Sequence, residues 1–145
     1  MKFLLLAVLS VVLISCKLDN DCGDCFTPPR QFNFDFIDKD TSENLFLNET
    51  FSEDDISIKD ESNHEIEFQL INYNDSYILS LKNIGWELDP KTYTITLSPE
   101  VSVVFELDMD SKRENCCTFF IVKEFNLQTF EYTELTTTRI IQVKI

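Results

Sequence analysis

Apolar and polar residues alternate along most of the chain from Gln31 onward. At the start of this region Phe32, Phe34 and Phe36 alternate with polar residues, which is typical of a β-strand with one buried face. The same period of two recurs at residues 56–58, 66–70, 77–81, 93–97, 101–109, 130–132 and 141–145. Because no window shows sustained helical spacing, the pattern predicts an all-β fold of about nine short strands, arranged as a single antiparallel β-sandwich.

One segment departs from the simple alternation. Residues 117–125 are more densely apolar, which predicts a central strand covered on both faces. Ser98, Pro99 and Glu100 separate two alternating segments and are typical of a hairpin loop. Since the chain has only two glycines, we expect asparagine and aspartate at turn positions that need positive φ. The candidates are Asn48, Asn63, Asn72, Asn74, Asp75 and Asn83.

The beginning of the chain has a different pattern. Met1 and Lys2 give a positive start, and residues 3–14 form an almost unbroken apolar run that is too short to cross a bilayer. This profile predicts a secretory signal peptide over residues 1–15. The run ends at Cys16, which an ordinary signal peptide would release as a plain thiol.

The four residues Leu13-Ile14-Ser15-Cys16 resemble the lipobox of bacterial lipoproteins. The resemblance implies that the Cys16 sulfur carries a diacylglycerol and that the new N-terminus is acylated, which would anchor the mature chain to a membrane. Residues 17–21 form a polar, partly acidic tether that resembles the acidic stretch of surface-exported lipoproteins of the Bacteroidota, a solvated spacer being the alternative. We therefore expect a lipid-anchored protein of the outer membrane, with exposure at the cell surface as one option.

Four further cysteines, Cys22, Cys25, Cys116 and Cys117, would be exported with the chain. Their even number predicts two disulfides, for which three pairings are open. Crossed pairing of the early and late cysteines would close loops of roughly ninety residues. A four-thiolate zinc site is an alternative, although the adjacent late cysteines and an oxidising compartment argue against it. A redox-active Cys-Gly-Asp-Cys is another, although the two prolines that follow argue against the helix that such a motif opens.

Taken together, the lipobox, the segment Cys-Gly-Asp-Cys-Phe-Thr-Pro-Pro, the Phe-rich first strand and the late Cys-Cys-Thr resemble small lipoproteins of the Bacteroidota. The resemblance implies an immunoglobulin-like or transthyretin-like sandwich and supplies no active residues. The predicted organisation is a signal peptide over residues 1–15, a lipidated tether and Cys/Pro leader over 16–30, and the β-sandwich over 31–145.

The charge balance narrows the classes of partner. The chain of 145 residues has 26 acidic and 12 basic side chains, and its formal net charge of −14 would repel nucleic acid and bare anionic membranes. The two glycines are too few for a glycine-rich loop that binds phosphate. Thirteen phenylalanines, in contrast, are enough to form a substantial core.

Asp38, Asp40, Ser42 and Glu49 fall at the first, third, fifth and twelfth positions of a calcium-loop template. Hard oxygen ligands at this spacing could bind Ca²⁺. However, Glu43 stands where the template requires glycine, and the preceding segment has the pattern of a strand rather than a helix. An ordinary polar turn is therefore the favoured interpretation, and calcium binding is the alternative.

Trp86 is the only tryptophan and follows Gly85 in a predicted loop. Together with Tyr73, Tyr77 or Tyr93 it could form a stacking platform for a sugar ring or a partner protein. A buried plug at one end of the sandwich is the favoured alternative, because a single tryptophan is usually mostly buried.

Signals of catalysis are few. His64 is the only histidine, and nothing around it resembles a nucleophile motif, so we expect a solvated surface residue. The 26 acidic residues offer many carboxylate pairs for glycoside hydrolysis, and their abundance makes any one pair uninformative. We therefore expect a non-catalytic binding module without a cofactor, whose ligand is an envelope protein or a carbohydrate. A carboxylate-based hydrolase is the alternative.

Overall fold

The structure, a computed structural model, describes residues 25–145, apart from the side chain of Phe26. The described residues form ten β-strands and a short 3-10 turn, and they contain no α-helix. The strands are β1 (Cys25–Thr27), β2 (Phe32–Ile37), β3 (Ser57–Asp60), β4 (Phe68–Tyr73), β5 (Ser76–Leu81), β6 (Lys91–Ser98), β7 (Val101–Glu114), β8 (Cys117–Leu127), β9 (Glu131–Glu134) and β10 (Ile140–Lys144). The predicted all-β class is confirmed, and the one strand that the alternation did not predict is β1.

The ten strands form two five-stranded sheets. Sheet A has the order β1-β8-β7-β6-β3, and sheet B has the order β4-β5-β2-β10-β9. Most neighbours are antiparallel, but β1 runs parallel to β8, and β10 runs parallel to β2. The expectation of a purely antiparallel arrangement is therefore wrong. Cys25 pairs with Cys117 at the start of β8, so the leader enters sheet A there and runs in the same direction as β8.

The two sheets pack through a core rich in aromatic residues. The three phenylalanines of β2 are completely buried, as their alternation with polar residues predicts. Between the sheets, the ring of Phe105 lies 5.3 Å from the ring of Phe34, and within sheet A it also contacts Phe125 and Tyr93. A single hydrophobic cluster joins both sheets, which is consistent with a β-sandwich.

Strand β8 changes the residues that it buries halfway along its length. Asp108 pairs with Glu124, whereas the next residue, Met109, pairs with Val122, so β8 contains a bulge of one residue. Phe120 and Val122 before the bulge and Phe125 after it pack against the core, because the bulge shifts the inward-facing positions from even to odd numbers. The expectation of a strand covered on both faces is wrong, since Ile121 is 44% exposed.

Two hairpins are closed by two-residue turns in which both residues have positive φ. Asn74 and Asp75 have φ of 50° and 59° and join β4 to β5, while Asn115 and Cys116 have φ of 47° and 72° and join β7 to β8. Such turns match the right-handed twist of the paired strands. The predicted hairpin loop at Ser98 is confirmed, because this residue pairs with Val101.

Half of the predicted positive-φ positions are correct. The prediction is confirmed for Asn63, Asn74 and Asp75 and wrong for Asn48, Asn72 and Asn83. Positive φ occurs instead at Ser42, Glu49, Asn115, Cys116 and Arg139. Residue type indicates which side chains tolerate this conformation, but the pairing of the strands decides which turn position must adopt it.

Gly85 fixes the loop between β5 and β6 against two other parts of the chain. Its φ is 86°, and a Cβ atom at this position would lie 3.1 Å from the Pro29 Cβ and 3.3 Å from the Met109 Cε. The loop therefore packs directly on the leader and on β7. Since Trp86 follows immediately, this contact also determines where the tryptophan lies.

We expect Gly85→Ala to lower the free energy of unfolding by about 1–2 kcal/mol. Positive φ is strained for alanine, and its methyl group would lie too close to Pro29 and Met109. Chemical denaturation followed by tryptophan fluorescence measures the change. Asp89→Ala, an exposed substitution in the same loop, is the control and should stay within about 0.5 kcal/mol of the parent. Equal stability of the two variants would contradict the proposed packing of the loop.

Candidate functional site

The leader is bonded covalently to the tip of the β7–β8 hairpin. Cys25 and Cys117, 92 positions apart in sequence, form a disulfide, which is one of the crossed pairings considered above. Cys116 is disulfide-bonded as well. The four-thiolate zinc interpretation is therefore wrong, because at least three of its thiols are oxidised. Cys16 and Cys22 lie outside the described residues.

Trp86 lies at the surface and not in the core. Its side chain is 43% exposed, and its ring packs edge-on against Phe120 at a centroid distance of 5.3 Å. The buried-plug interpretation is therefore wrong. The loop held by Gly85 places the indole over β8, at the end of the sandwich where the leader enters.

The candidate platform of tryptophan and tyrosines is not assembled among the described residues. Tyr93 is buried on the inner face of sheet A, where its ring stacks on Phe105, and burial raises the pKa of the Tyr93 hydroxyl to about 12. Tyr77 packs against the same core from β5. Tyr73 is 45% exposed on β4, an edge strand of sheet B. Trp86, in contrast, lies against β8 of sheet A.

The candidate calcium ligands form an ordinary turn. One carboxylate oxygen of Asp38 accepts hydrogen bonds from the backbone N–H groups of Asp40 and Thr41, at 2.9 and 2.7 Å. These bonds, chiefly that from Thr41, lower the pKa of the Asp38 carboxyl. Within residues 25–145 no group of three or more His, Cys, Asp or Glu side chains is arranged to hold a metal ion. The calcium interpretation, which also needs Ser42 and Glu49, is thus not supported by the geometry.

We expect Asp38→Ala to lower the melting temperature near neutral pH. When the pH is above the unfolded-state pKa, close to the ordinary value of 3.8, the ionised carboxylate stabilises the turn. This contribution to stability is lost as the pH falls through the lowered pKa of the folded state. The difference between parent and variant should therefore shrink in acid. Asp40→Ala, whose side chain makes none of the described hydrogen bonds, should show a smaller change. Calcium and chelator should leave the melting temperature unchanged, and a calcium-dependent rise lost in Asp38→Ala would contradict this interpretation.

His64 forms a second turn with Asp60. Its ring Nδ1 lies 3.0 Å from the Asp60 Oδ2, and its backbone N–H donates to the Asp60 Oδ1. The bond from this backbone N–H is the main cause of the lowered pKa of the Asp60 carboxyl. The imidazole is mostly exposed, so its described role is to close the turn after β3.

A shallow cavity of about 390 Å³ includes two acidic side chains, Glu65 and Glu67, near the start of β4. Lys82 also lines it. Both glutamates are exposed, and the Asn83 amide donates to Glu67 at 3.3 Å. The acid of a glycosidase usually lies in a desolvated, apolar setting, whereas these two carboxylates are exposed to solvent.

The four edge strands of the two sheets differ in how they are protected. β1 has three residues and is held by the disulfide. β3 carries Lys59 and Asp60 and is covered by the chain that follows it, where the Ile66 N–H donates to Ile58. β9 begins and ends with glutamate. β4, in contrast, has the sequence FQLINY, with no charge, proline or glycine, and its outer edge has no strand partner among the described residues.

The outer face of sheet B beside this edge carries a cavity of about 340 Å³ that crosses four neighbouring strands. Its lining residues are Gln31, Asn33, Ile71, Tyr73, Ile78, Thr137, Thr138 and Ile140. None of them is charged, in a chain with 26 acidic side chains. Ile71, 39% exposed, belongs to both the edge strand and the cavity.

Sequence reasoning singled out Tyr73 and missed the rest of this surface. The alternation from residue 66 to 70 predicted a strand, but it did not show that the strand lies at an edge. The lack of charge over Phe68–Tyr73 was not a sufficient signal, because residues 92–99 are also uncharged and belong largely to the internal strand β6.

No protein-family profile, curated protein or solved structure matches this chain. Over residues 25–145, no helix is long and apolar enough to cross a membrane. The class of protein that the fold and the surface define is therefore an all-β domain of two sheets, consistent with a β-sandwich, whose uncharged edge strand β4 has no strand partner among residues 25–145.

Proposed function

We propose that the chain is a lipid-anchored, non-catalytic binding module of the bacterial envelope, held at the outer membrane through Cys16. The support is the apolar run that ends in Leu13-Ile14-Ser15-Cys16 and the acidic tether that follows. The immunoglobulin-like or transthyretin-like type of the sandwich is part of the same proposal, and the two packed sheets support it.

Its partner, on this proposal, is an extended polypeptide segment that adds a strand to sheet B along β4. The uncharged edge of β4 is the observation that carries the proposal. Soluble proteins usually protect such an edge with charge, proline, a bulge or a covering segment, because its free N–H and C=O groups bind other strands. Among the described edge strands, β3 and β9 carry charged residues and β1 has only three residues.

The charges around β4 favour a basic partner. The chain has a formal net charge of −14, and Glu65 and Glu67 are exposed where the chain enters β4. Two copies of so acidic a chain repel each other, which disfavours pairing of β4 with β4 of a second copy. A segment rich in lysine or arginine would instead be attracted to this edge.

The neighbouring cavity can select side chains of the added strand. Successive residues of a strand point to opposite faces, so every second residue of the partner would lie on the outer face of sheet B. There it would meet Ile71 and Tyr73, which are both exposed. We therefore expect apolar residues at alternate positions of the bound segment and basic residues between them or at its ends.

A synthetic peptide of alternating valine and lysine is expected to bind the purified full chain, as measured by isothermal titration calorimetry. Ile71→Lys should weaken binding by at least about tenfold, because it places a positive charge on the edge. Ile121→Lys is the matched control, since Ile121 has similar exposure on β8 of the other sheet and should bind the peptide like the parent.

Three outcomes would overturn the strand-addition proposal. The same peptide with every backbone nitrogen methylated has no N–H donors on either edge, so equal binding of that peptide would show recognition by side chains alone. Concentration-dependent dimerisation that Ile71→Lys abolishes, without peptide binding, would assign the edge to a second copy. Binding of soluble oligosaccharides that Tyr73→Ala abolishes, again without peptide binding, would assign the surface to carbohydrate.

The lipid anchor is tested separately, by mass spectrometry of the mature protein made in a bacterium that processes lipoproteins. We expect a mature chain that begins at Cys16 and carries a diacylglycerol and an additional acyl chain. Cys16→Ser is the control and should be recovered without acyl groups. An unmodified thiol at the N-terminus of the parent would contradict the anchor and leave the β4 proposal intact.

A further inference from the structure

A third cavity lies at the end of the sandwich where the leader enters. Its volume is about 260 Å³, and its walls come from the residues just before β2 and β10 and from the β7–β8 hairpin. The lining residues are Arg30, Met109, Phe120, Ile121, Val122 and Arg139. Two of the three arginines of the chain therefore line one small cavity of a strongly acidic protein.

The two arginines differ in how their charges are balanced. Arg30 is held firmly, since its Nη1 donates to the Glu134 carboxylate and its guanidinium lies 5.0 Å from the centre of the Phe32 ring. Its buried Nε has no hydrogen-bond partner among the described residues. The Arg139 side chain is exposed and takes part in none of the ion pairs or hydrogen bonds of residues 25–145. Glu134 therefore balances the positive charge of Arg30, whereas no described side chain forms an ion pair with Arg139.

The other walls of the cavity are apolar. Met109 is buried, Phe120 and Val122 are half-buried, and Ile121 is exposed. Trp86 packs edge-on against Phe120, so the only tryptophan of the chain reports on this wall. A ligand that fits this setting combines a negatively charged head for the arginines with an apolar body for the hairpin residues.

We propose that this cavity binds a small organic carboxylate with an apolar body. At about 30 Å³ for each water molecule displaced, the cavity has room for on the order of nine non-hydrogen atoms. Arg139 contacts the carboxylate, Arg30 supplies a second, positioned donor, and Phe120 and Val122 contact the apolar part. None of the lining residues belongs to β4, so this proposal does not depend on strand addition at that edge.

The test is a titration of the purified full chain with hexanoate, which fits this size, followed by Trp86 fluorescence and calorimetry. The neutral analogue 1-hexanol and the short acid acetate are titrated in parallel. We expect hexanoate to change the Trp86 emission and to bind about tenfold more tightly than either analogue. Arg139→Gln should reduce hexanoate binding by about tenfold, whereas Arg113→Gln, the same change at the exposed arginine of β7, should leave it unchanged.

Each alternative result overturns the proposal in a different way. Equal binding of hexanoate and 1-hexanol would show an apolar pocket without recognition of charge. Equal binding of acetate or inorganic phosphate would show an anion site that does not use the apolar wall. Equal loss in Arg139→Gln and Arg113→Gln would show a general effect of net charge. Circular dichroism of both variants verifies that they fold, and Arg139→Lys, which keeps the charge, should retain part of the binding.

Discussion

The structure depends on the contact between phenylalanine rings of its two inner faces. Phe105 lies at the centre of this contact, against Phe34 of the opposite sheet and against Phe125 and Tyr93 of its own. Each fully buried ring contributes roughly 1.5–3 kcal/mol, so the cluster supplies much of the energy that holds the sheets together. Because these large aromatic residues are buried between the sheets, the surfaces available for binding are strand edges, outer faces and the ends of the sandwich.

The leader ties the beginning of the described chain to this core at three points. Cys25 is bonded to Cys117, Pro29 packs against Gly85, and Arg30 pairs with Glu134 of β9. Both sheets are thus linked by residues that precede the predicted start of the sandwich. The same contacts form one wall of the arginine cavity and place Trp86 beside it, so the cavity depends on the leader being docked.

The two proposed binding surfaces have opposite preferences for charge. The β4 edge is neutral and lies in a strongly acidic protein, which favours a basic, extended partner. The cavity beside Arg30 and Arg139 has an excess positive charge and apolar walls, which favours a small organic anion. Net charge alone suggested only the first of these preferences. The second arises because residues 109 positions apart in sequence meet at one end of the sandwich.

The sequence by itself determined the class of fold, because the period of two reports directly which residues of a strand face the core. Each of the nine alternating or densely apolar segments overlaps a strand, and the phenylalanines of β2 are buried as predicted. Only the tertiary structure decided which strand lies at an edge, which cysteines pair, where β8 is bulged, and whether Trp86 is exposed. These features depend on pairing between distant segments, and local alternation carries no information about which segments become neighbours.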